Sequence, residues 1–385
     1  MRDKESAVTP GIPERNRIAR PTSLGSPCNR VRGEINLLRV MVVKSVCPTI
    51  SVVIPAYGCA NSIGAALESV FSQTFREFEV IVINDGSPDT PQLERALIPY
   101  QTRIEYIRQK NAGPSSARNR GIRQARGKYV AFLDSDDFWF PRHLENQMSL
   151  LLGDRSLDLV YANLLVLRGN TPVGAGFDLF PQVPPVTLDA LLREECKIGT
   201  SSVVASRQSL MTAGLFDESM RRCEDFDLWL RMANCGAHMS FSPEIQLGHR
   251  SGNGLSSDSM LMKRARILVY EKLSRQMQLT PHQRQLLNRK IAVDEAEYQI
   301  DLAKSSLLEQ NYAQALSAAR KATGTAPSWK LHVAVRGLQA APNLLLHSYR
   351  AYSQVLEARN RNRIARRMKG LEVYADLASH AITSG

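Results

Sequence analysis

The sequence predicts an α/β fold, a largely parallel sheet with helices on both faces. Three observations lead there. Short runs rich in apolar residues, "ISVVIP" at 50–55, "FEVIVINDGS" at 78–87 and "KYVAFLD" at 128–134, alternate with stretches of helical period. A strand apolar on both sides is buried on both sides, as in parallel sheets whose faces are covered by helices. Polar residues then fall just past each run, where open α/β sheets bind their ligands.

Residues 1–48 hold nine Lys or Arg against four Asp or Glu, with Pro, Ser and Gly throughout. That composition reads as a disordered basic leader, with Met41 as an alternative start. A strand at 50–55 precedes a helix from Asn61 to about Gln73; a strand at 78–87 precedes a helix at 92–100. "RIEYIRQ" (103–109) is a third strand, "SSARNRGIRQA" (115–125) a helix and 128–134 a fourth strand. A helix is expected to begin near Pro141. From about 260 the chain reads as helical. Within it, "EYQIDLAKSSLLEQNYAQALSAARKATGTAPSWK" resembles a single tetratricopeptide-like hairpin, with Asn311–Tyr312 at the turn and Pro327 after the second helix. One such unit cannot bury its own face, so it is expected to dock on the preceding domain.

Composition limits the function classes. With 385 residues, 43% hydrophobic and 22% charged, the chain can bury a large core. No run of 18 apolar residues occurs, and the opening residues contain no signal-like apolar stretch. The six cysteines (28, 47, 59, 196, 223 and 235) form no C-x-x-C pair, which fits a reduced, cytoplasmic chain without structural zinc. The net charge of +12 and pI near 9.6 suit nucleic acid, an anionic membrane surface or phosphate-bearing substrates. Nucleic acid is not expected, because no helix-turn-helix, zinc or aromatic–basic single-strand motif is present. "RNRNRIARRMK" at 359–369, with six cations and no acid, reads equally as a solvated charged helix end or as peripheral contact with an anionic membrane at the inner face of the plasma membrane.

The chemistry concentrates in "AFLDSDDFWF" (131–140). Asp134, Asp136 and Asp137 crowd the end of the fourth strand. Clustered carboxylates repel one another and resist desolvation. A divalent cation relieves both penalties, and Mg²⁺ or Mn²⁺ commonly bridges one or two carboxylates to substrate phosphates. Along a strict strand, Asp134 and Asp136 share a face. The plainer reading of an isolated D-x-D is a solvated helix cap.

The neighbouring motifs overturn that plainer reading. "SVVIPAYG", "FEVIVINDGSPD", "NAGPSSARNRGIRQARGKYVAFLDSDD" and, further on, "CEDFDLWLRM" (223–232) stand in order and spacing that resemble family 2 glycosyltransferases of GT-A fold. The resemblance spans roughly 49–258, with a nucleotide-sugar half at 49–140, an acceptor half at 141–258 and a helical extension at 259–385. It implies that Pro55, Ala56 and Tyr57 line the nucleobase and that Asp85 accepts a hydrogen bond from its edge. It places Asn111, Gly113, Arg118 and Asn119 beside the ribose and sugar diphosphate. Asp136 is implied as the direct metal ligand, with Asp134 facing ribose or metal-bound water. Asp225 is the implied general base, and Glu224 and Trp229 shape the acceptor side. His249 and Arg250 fit the family's register only loosely and read equally as surface loop.

The implied reaction is inverting transfer from a nucleoside-diphosphate sugar, a UDP-sugar first, to a hydroxyl of a glycan or lipid-linked acceptor, as in cell-surface polysaccharide synthesis. The divalent metal, Mn²⁺ or Mg²⁺, would stabilise the departing diphosphate. A phosphatase of haloacid dehalogenase type is disfavoured, because Asp137–Phe138 rather than Gly-Thr or Gly-Val follows the D-x-D. The alternative is a non-catalytic nucleotide-sugar-binding or scaffold protein of the same fold.

Overall fold

The computed structural model describes residues 47–180, 182–252 and 258–368, with side chains of the final helix described through Val355 and at Arg359. The expected basic leader, but for its last two residues, lies outside the described residues. So do the side chains of the 359–369 cluster beyond Arg359.

β1 (Ile50–Ala56), α1 (Ile63–Phe71), β2 (Phe78–Asp85), α2 (Thr90–Leu97), β3 (Glu105–Gln109), α3 (Pro114–Gln124) and β4 (Tyr129–Phe132) form the first half. β1 pairs in parallel with both β2 and β4, and β2 with β3. Four consecutive strands therefore end on one edge, as the polar punctuation predicts. The second half comprises β5 (Phe138–Trp139), α4 (His143–Gly153), β6 (Leu157–Arg168), β7 (Thr171–Ala175), α5 (Gly176–Leu179), α6 (Leu188–Leu192), β8 (Val204–Ser206), α7 (Arg207–Thr212), α8 (Glu224–Asn234) and β9 (His238–Ser251).

One sheet joins the halves in the order β3-β2-β1-β4-β8-β6-β9-β5, with β7 paired to β6. Its second half is not the continuation of the parallel pattern: β8 runs antiparallel to β4 and β6, and β5 antiparallel to β9, while β6 and β9 are parallel. Alternate residues of β1 divide the core. Ile50, Val52 and Ile54 pack with α1, α2 and α4, whereas Val53 belongs to the core shared with α3, α7 and α8. α3 lies close on β1 because of Gly121, where a Cβ would stand 2.3 Å from Val53 Cγ1. Arg118, one turn earlier, is thereby carried to the end of β4.

The helical extension is α9 (Ser259–Gln276), α10 (Pro281–Leu308), α11 (Tyr312–Thr325), α12 (Trp329–Ala340) and α13 (Pro342–Met368). Val269, Tyr270 and Leu273 of α9 and Leu287 of α10 enter the same core as Leu228, Trp229 and Met232 of α8. Lys272 Nζ lies 2.6 Å from Asp217 Oδ2 and 2.7 Å from Asp227 Oδ1. Asp227 is itself buried and also holds Arg231 at 2.7 Å. α10 and α11 meet at Asn311, whose side chain caps α11 by accepting from Gln314 N–H. Their small residues Ala315 and Ala319 pack with Leu307, Leu338 of α12 and Leu346 of α13 in a separate cluster.

Candidate active site

The crevice opens past the carboxyl ends of β1–β4. At the end of β2, Asp85 is buried and accepts from Gln109 Nε2 (2.8 Å), Ala112 N–H (2.9 Å) and Gly113 N–H (2.8 Å). A carboxylate held by two main-chain donors fixes the loop after β3 against the loop after β2. Gly86, at φ +64°, completes the approach, since a Cβ there would stand 2.6 Å from Asn111 N. On the other side Gly58 N–H donates to Ser87 Oγ at 2.7 Å. Pro55 is half-buried, Ala56 is fully buried, and Tyr57 and Asn111 are exposed.

β4 ends at Phe132, so the D-x-D is not on a strand. Asp134 to Asp137 form a turn closed by Asp137 N–H donating to Asp134 O at 3.0 Å. The strand-face expectation for Asp134 and Asp136 is therefore corrected: a turn, not pleating, presents them, and it sets them in different surroundings. Asp134 is half-buried and joined to Arg118 at 2.7 Å. Asp136 opens to solvent, with no ion-pair partner among the described residues. Desolvation at the crevice wall, then the charges of Asp137 and Asp134, push its carboxyl up to about 6. Asp137 is buried, accepting from His249 Nδ1 at 3.0 Å and Arg250 N–H at 2.9 Å. Asp137 raises the His249 imidazole to about 9 against the effect of burial, so the pair is ionic.

His249 and Arg250 thus lie on strand β9 rather than a surface loop, and they anchor the 134–137 turn. Arg250 Nη1 also donates to the Asp136 carbonyl. Sequence reasoning noticed Asp137 only as a third carboxylate. Its burial beside His249, 112 residues away, carries no local signal.

A metal fits this turn in one way. Among the described residues no group of three or more His, Cys, Asp or Glu converges as a metal cage. Mg²⁺ or Mn²⁺ bridging one or two carboxylates to phosphate oxygens needs none. Asp136, outward and without an ion-pair partner among the described residues, is the residue that such a cation suits.

α8 starts abruptly. Cys223, at φ +56°, turns the chain so that Glu224 and Asp225 stand in the first helical turn, where the helix dipole favours carboxylates. Glu224 is buried and accepts from Arg118 Nη1 at 2.8 Å. Asp225 is half-buried; its Oδ2 accepts from Thr200 Oγ1 (2.9 Å) and its Oδ1 from Phe226 N–H (2.7 Å).

Arg118 is the centre of the arrangement. Burial works against its charge, but Asp134 and Glu224 outweigh burial and hold the guanidinium firmly protonated. Its Nε is buried with no hydrogen-bond partner among the described residues. Both terminal nitrogens are committed to protein carboxylates, so Arg118 ties the carboxylate turn to the helix of Asp225 instead of standing free beside a diphosphate.

Two further expectations are corrected. Asn119 faces away from the crevice: its Nδ2 donates to Phe216 O (2.8 Å) and Glu218 Oε1 (2.9 Å), and its Oδ1 accepts from Phe216 N–H (2.9 Å). It pins α3 to the 216–218 segment. Trp229 is core, packed edge-on against Phe216 with ring centroids 6.0 Å apart, and does not line the acceptor side.

Comparison with known proteins agrees with this geometry. The model of glycosyl transferase family 2 matches residues 51–172. The Escherichia coli UDP-Glc:alpha-D-GlcNAc-diphosphoundecaprenol beta-1,3-glucosyltransferase WfgD is 32% identical over 196 residues, covering 49% of this chain and 74% of that one. An uncharacterized glycosyltransferase of Rickettsia felis is 29% identical over 48% of this chain, but the match covers only 31% of that relative's length. Among solved structures, S. aureus TarS 1-349 superposes with a TM-score of 0.56 at 20% identity, over 79% of this chain and 91% of that one. The mannosyltransferase PcManGT from Pyrobaculum calidifontis gives a TM-score of 0.52 at 17% identity over 88% of each chain. These likenesses show the GT-A fold. With its four strand ends gathered on one crevice, and a relative of which it covers 74% at 32% identity, the chain belongs to glycosyl transferase family 2.

Proposed function

We propose that the protein is an inverting, metal-dependent glycosyltransferase that moves a sugar from a nucleoside-diphosphate sugar, a UDP-sugar first, to a hydroxyl of a glycan or lipid-linked acceptor. One observation carries it: Arg118 bridges Asp134 and Glu224, so the carboxylate turn and Asp225 flank one crevice. The names of relatives support the substrates. WfgD is named for UDP-Glc and a diphosphoundecaprenol acceptor, TarS is solved with UDP-GlcNAc, and PcManGT with GDP-Man and Mn²⁺.

The donor nucleobase would lie against Pro55, Ala56 and Tyr57. Asp85 Oδ2, with one internal donor, keeps a lone pair for a base-edge N–H. The loop of Asn111 and Gly113, already fixed by Asp85, would meet the ribose. A divalent cation at Asp136, with Asp134 beside it, would stabilise the departing diphosphate as a Lewis acid. Asp225 takes the proton of the attacking hydroxyl, while Thr200 and Phe226 N–H hold its oxygens in place. Only one free carboxylate serves that side, because Glu224 is neutralised by Arg118. In-line attack then inverts the anomeric centre, and an α-linked donor gives a β-linked product.

The test is a panel of nucleotide sugars, read by release of nucleoside diphosphate, run beside Asp225→Asn. That variant should lower kcat by roughly 10²–10⁴-fold, while calorimetric binding of nucleoside diphosphate with metal stays at the wild-type level. If binding and turnover fall together, Asp225 belongs to the donor site. Binding by the wild type with no turnover of any donor would favour the scaffold alternative.

A further inference from the structure

The positive charge of this protein is not where its proposed substrate binds. Residues 49–309, which hold the whole crevice, carry 29 Lys or Arg against 30 Asp or Glu. Residues 310–369 carry 11 against one, and none of the 46 residues from 310 to 355 is acidic. Apart from the excess of five in residues 1–48, the positive charge lies at the end of the helical extension.

The same helices leave large apolar side chains in water. Trp329 is 73% exposed, Leu344 69%, Tyr352 59%, Val333 57% and Val355 51%. The faces that pack are accounted for by other residues: Leu338 of α12 and Leu346 of α13 are buried, and Val335, Leu345 and Tyr349 pack against them. On α12, Trp329, Val333 and Arg336 follow at i, i+4 and i+7 and share one outward face, where they line a shallow depression with His332. Lys330 Nζ sits 5.9 Å from the Trp329 ring centroid, and Arg350 is exposed on α13.

We propose that α12 and α13 dock the protein onto a bilayer surface bearing anionic headgroups, with Trp329 and Val333 entering the interface and Lys330, Arg336 and Arg350 meeting the headgroups. Charge complementarity alone would admit any polyanion. The exposed Trp, Tyr, Leu and Val select the lipid surface, because a soluble polyanion gives them nothing apolar to enter, whereas interfacial helices combine these two side-chain classes.

The chain carries its own reporter. Of its three tryptophans, Trp139 and Trp229 are buried and Trp329 alone is exposed. Full-length protein is titrated with vesicles of phosphatidylcholine, with and without phosphatidylglycerol, and with soluble polyphosphate. The expected result is a blue shift of emission with phosphatidylglycerol vesicles only, absent in Trp329→Phe. Each cation near an anionic surface contributes about fivefold in affinity. The triple variant K330Q/R336Q/R350Q should therefore bind about 100-fold more weakly at low salt, with unchanged far-ultraviolet circular dichroism and unchanged nucleoside-diphosphate binding. Three results would overturn the proposal: no shift at saturating phosphatidylglycerol, an equal shift with polyphosphate, or a shift that persists in Trp329→Phe.

Discussion

Replacing Arg118 by Met tests whether the site is built around a buried cation. The Arg118 side chain is 6% exposed and joins two carboxylates, Asp134 at 2.7 Å and Glu224 at 2.8 Å. Methionine keeps the packing of the aliphatic stem and removes the guanidinium, with its charge and both donors. Asp134, with a side chain 32% exposed, can recover water; Glu224, at 11%, cannot. Removing one partner of a buried pair costs about 3–5 kcal/mol, and the openness of Asp134 places the expected loss at the lower end, about 3 kcal/mol. Burial already raises the Glu224 carboxyl, with Arg118 offsetting only part of that effect. Without Arg118 it should take up a proton more readily in the folded state, so the deficit shrinks as pH falls. Urea denaturation across pH measures this directly. Arg118→Met/Glu224→Leu removes the orphaned charge and should recover most of the stability, as apolar replacement of buried pairs does. A single variant that loses less than about 1 kcal/mol, or a double variant no more stable than the single, refutes the clamp.

Asp136→Asn should abolish turnover dependent on Mg²⁺ or Mn²⁺ and leave the melting temperature equal or higher, since it relieves repulsion from Asp134 and Asp137 without touching the core; near-full activity would show that the cation binds elsewhere. Burial works against the Asp217 charge, but Lys272 and Ser219 outweigh it and hold that carboxyl at about 2, below its ordinary 3.8. A carboxyl with a depressed folded value stabilises above its ordinary range and loses that contribution as pH falls through its folded value. The deficit of Asp217→Asn should therefore be constant from neutral pH down to about 4 and close near pH 2, as followed by chemical denaturation; an unchanged deficit at pH 2 would break the link to Lys272.

The parallel half of the sheet is legible because β-branched runs and helical stretches alternate without interruption from 50 to 134. The other half is not. β5 has two residues, and β9 is a 14-residue strand of mostly polar character with Pro243 inside it. β5 is aromatic and strand-prone but too short to announce itself, and β9 owes its strand to its pairing with β6 and β5 rather than to its own propensity. The motifs located the carboxylates, but local periodicity misplaced Asp134 and Asp136, since β4 stops two residues short of the first. Arg118 and Asn119 are adjacent in sequence and on a helix point about 100° apart. One consequently reaches the crevice and the other the 216–218 segment, a division that the motif alone cannot express. The ties that organise the site join residues more than 100 positions apart, Arg118 to Glu224 and Asp137 to His249.

The Lys272 latch bears on what can be cut away. Residues 51–172 define the family, and α9 opens a helical region that looks separable on paper. Yet Lys272 neutralises Asp227, a fully buried acid on the helix that presents Asp225, and Val269, Tyr270 and Leu273 roof the same helix. Ending the chain before α9 would strip an apolar roof and leave Arg231 as the only cation paired with that acid among the described residues. The smallest unit able to hold Asp225 in register therefore extends at least through α9, and the energetic edge of the transferase fold runs inside what the sequence presents as its appendage.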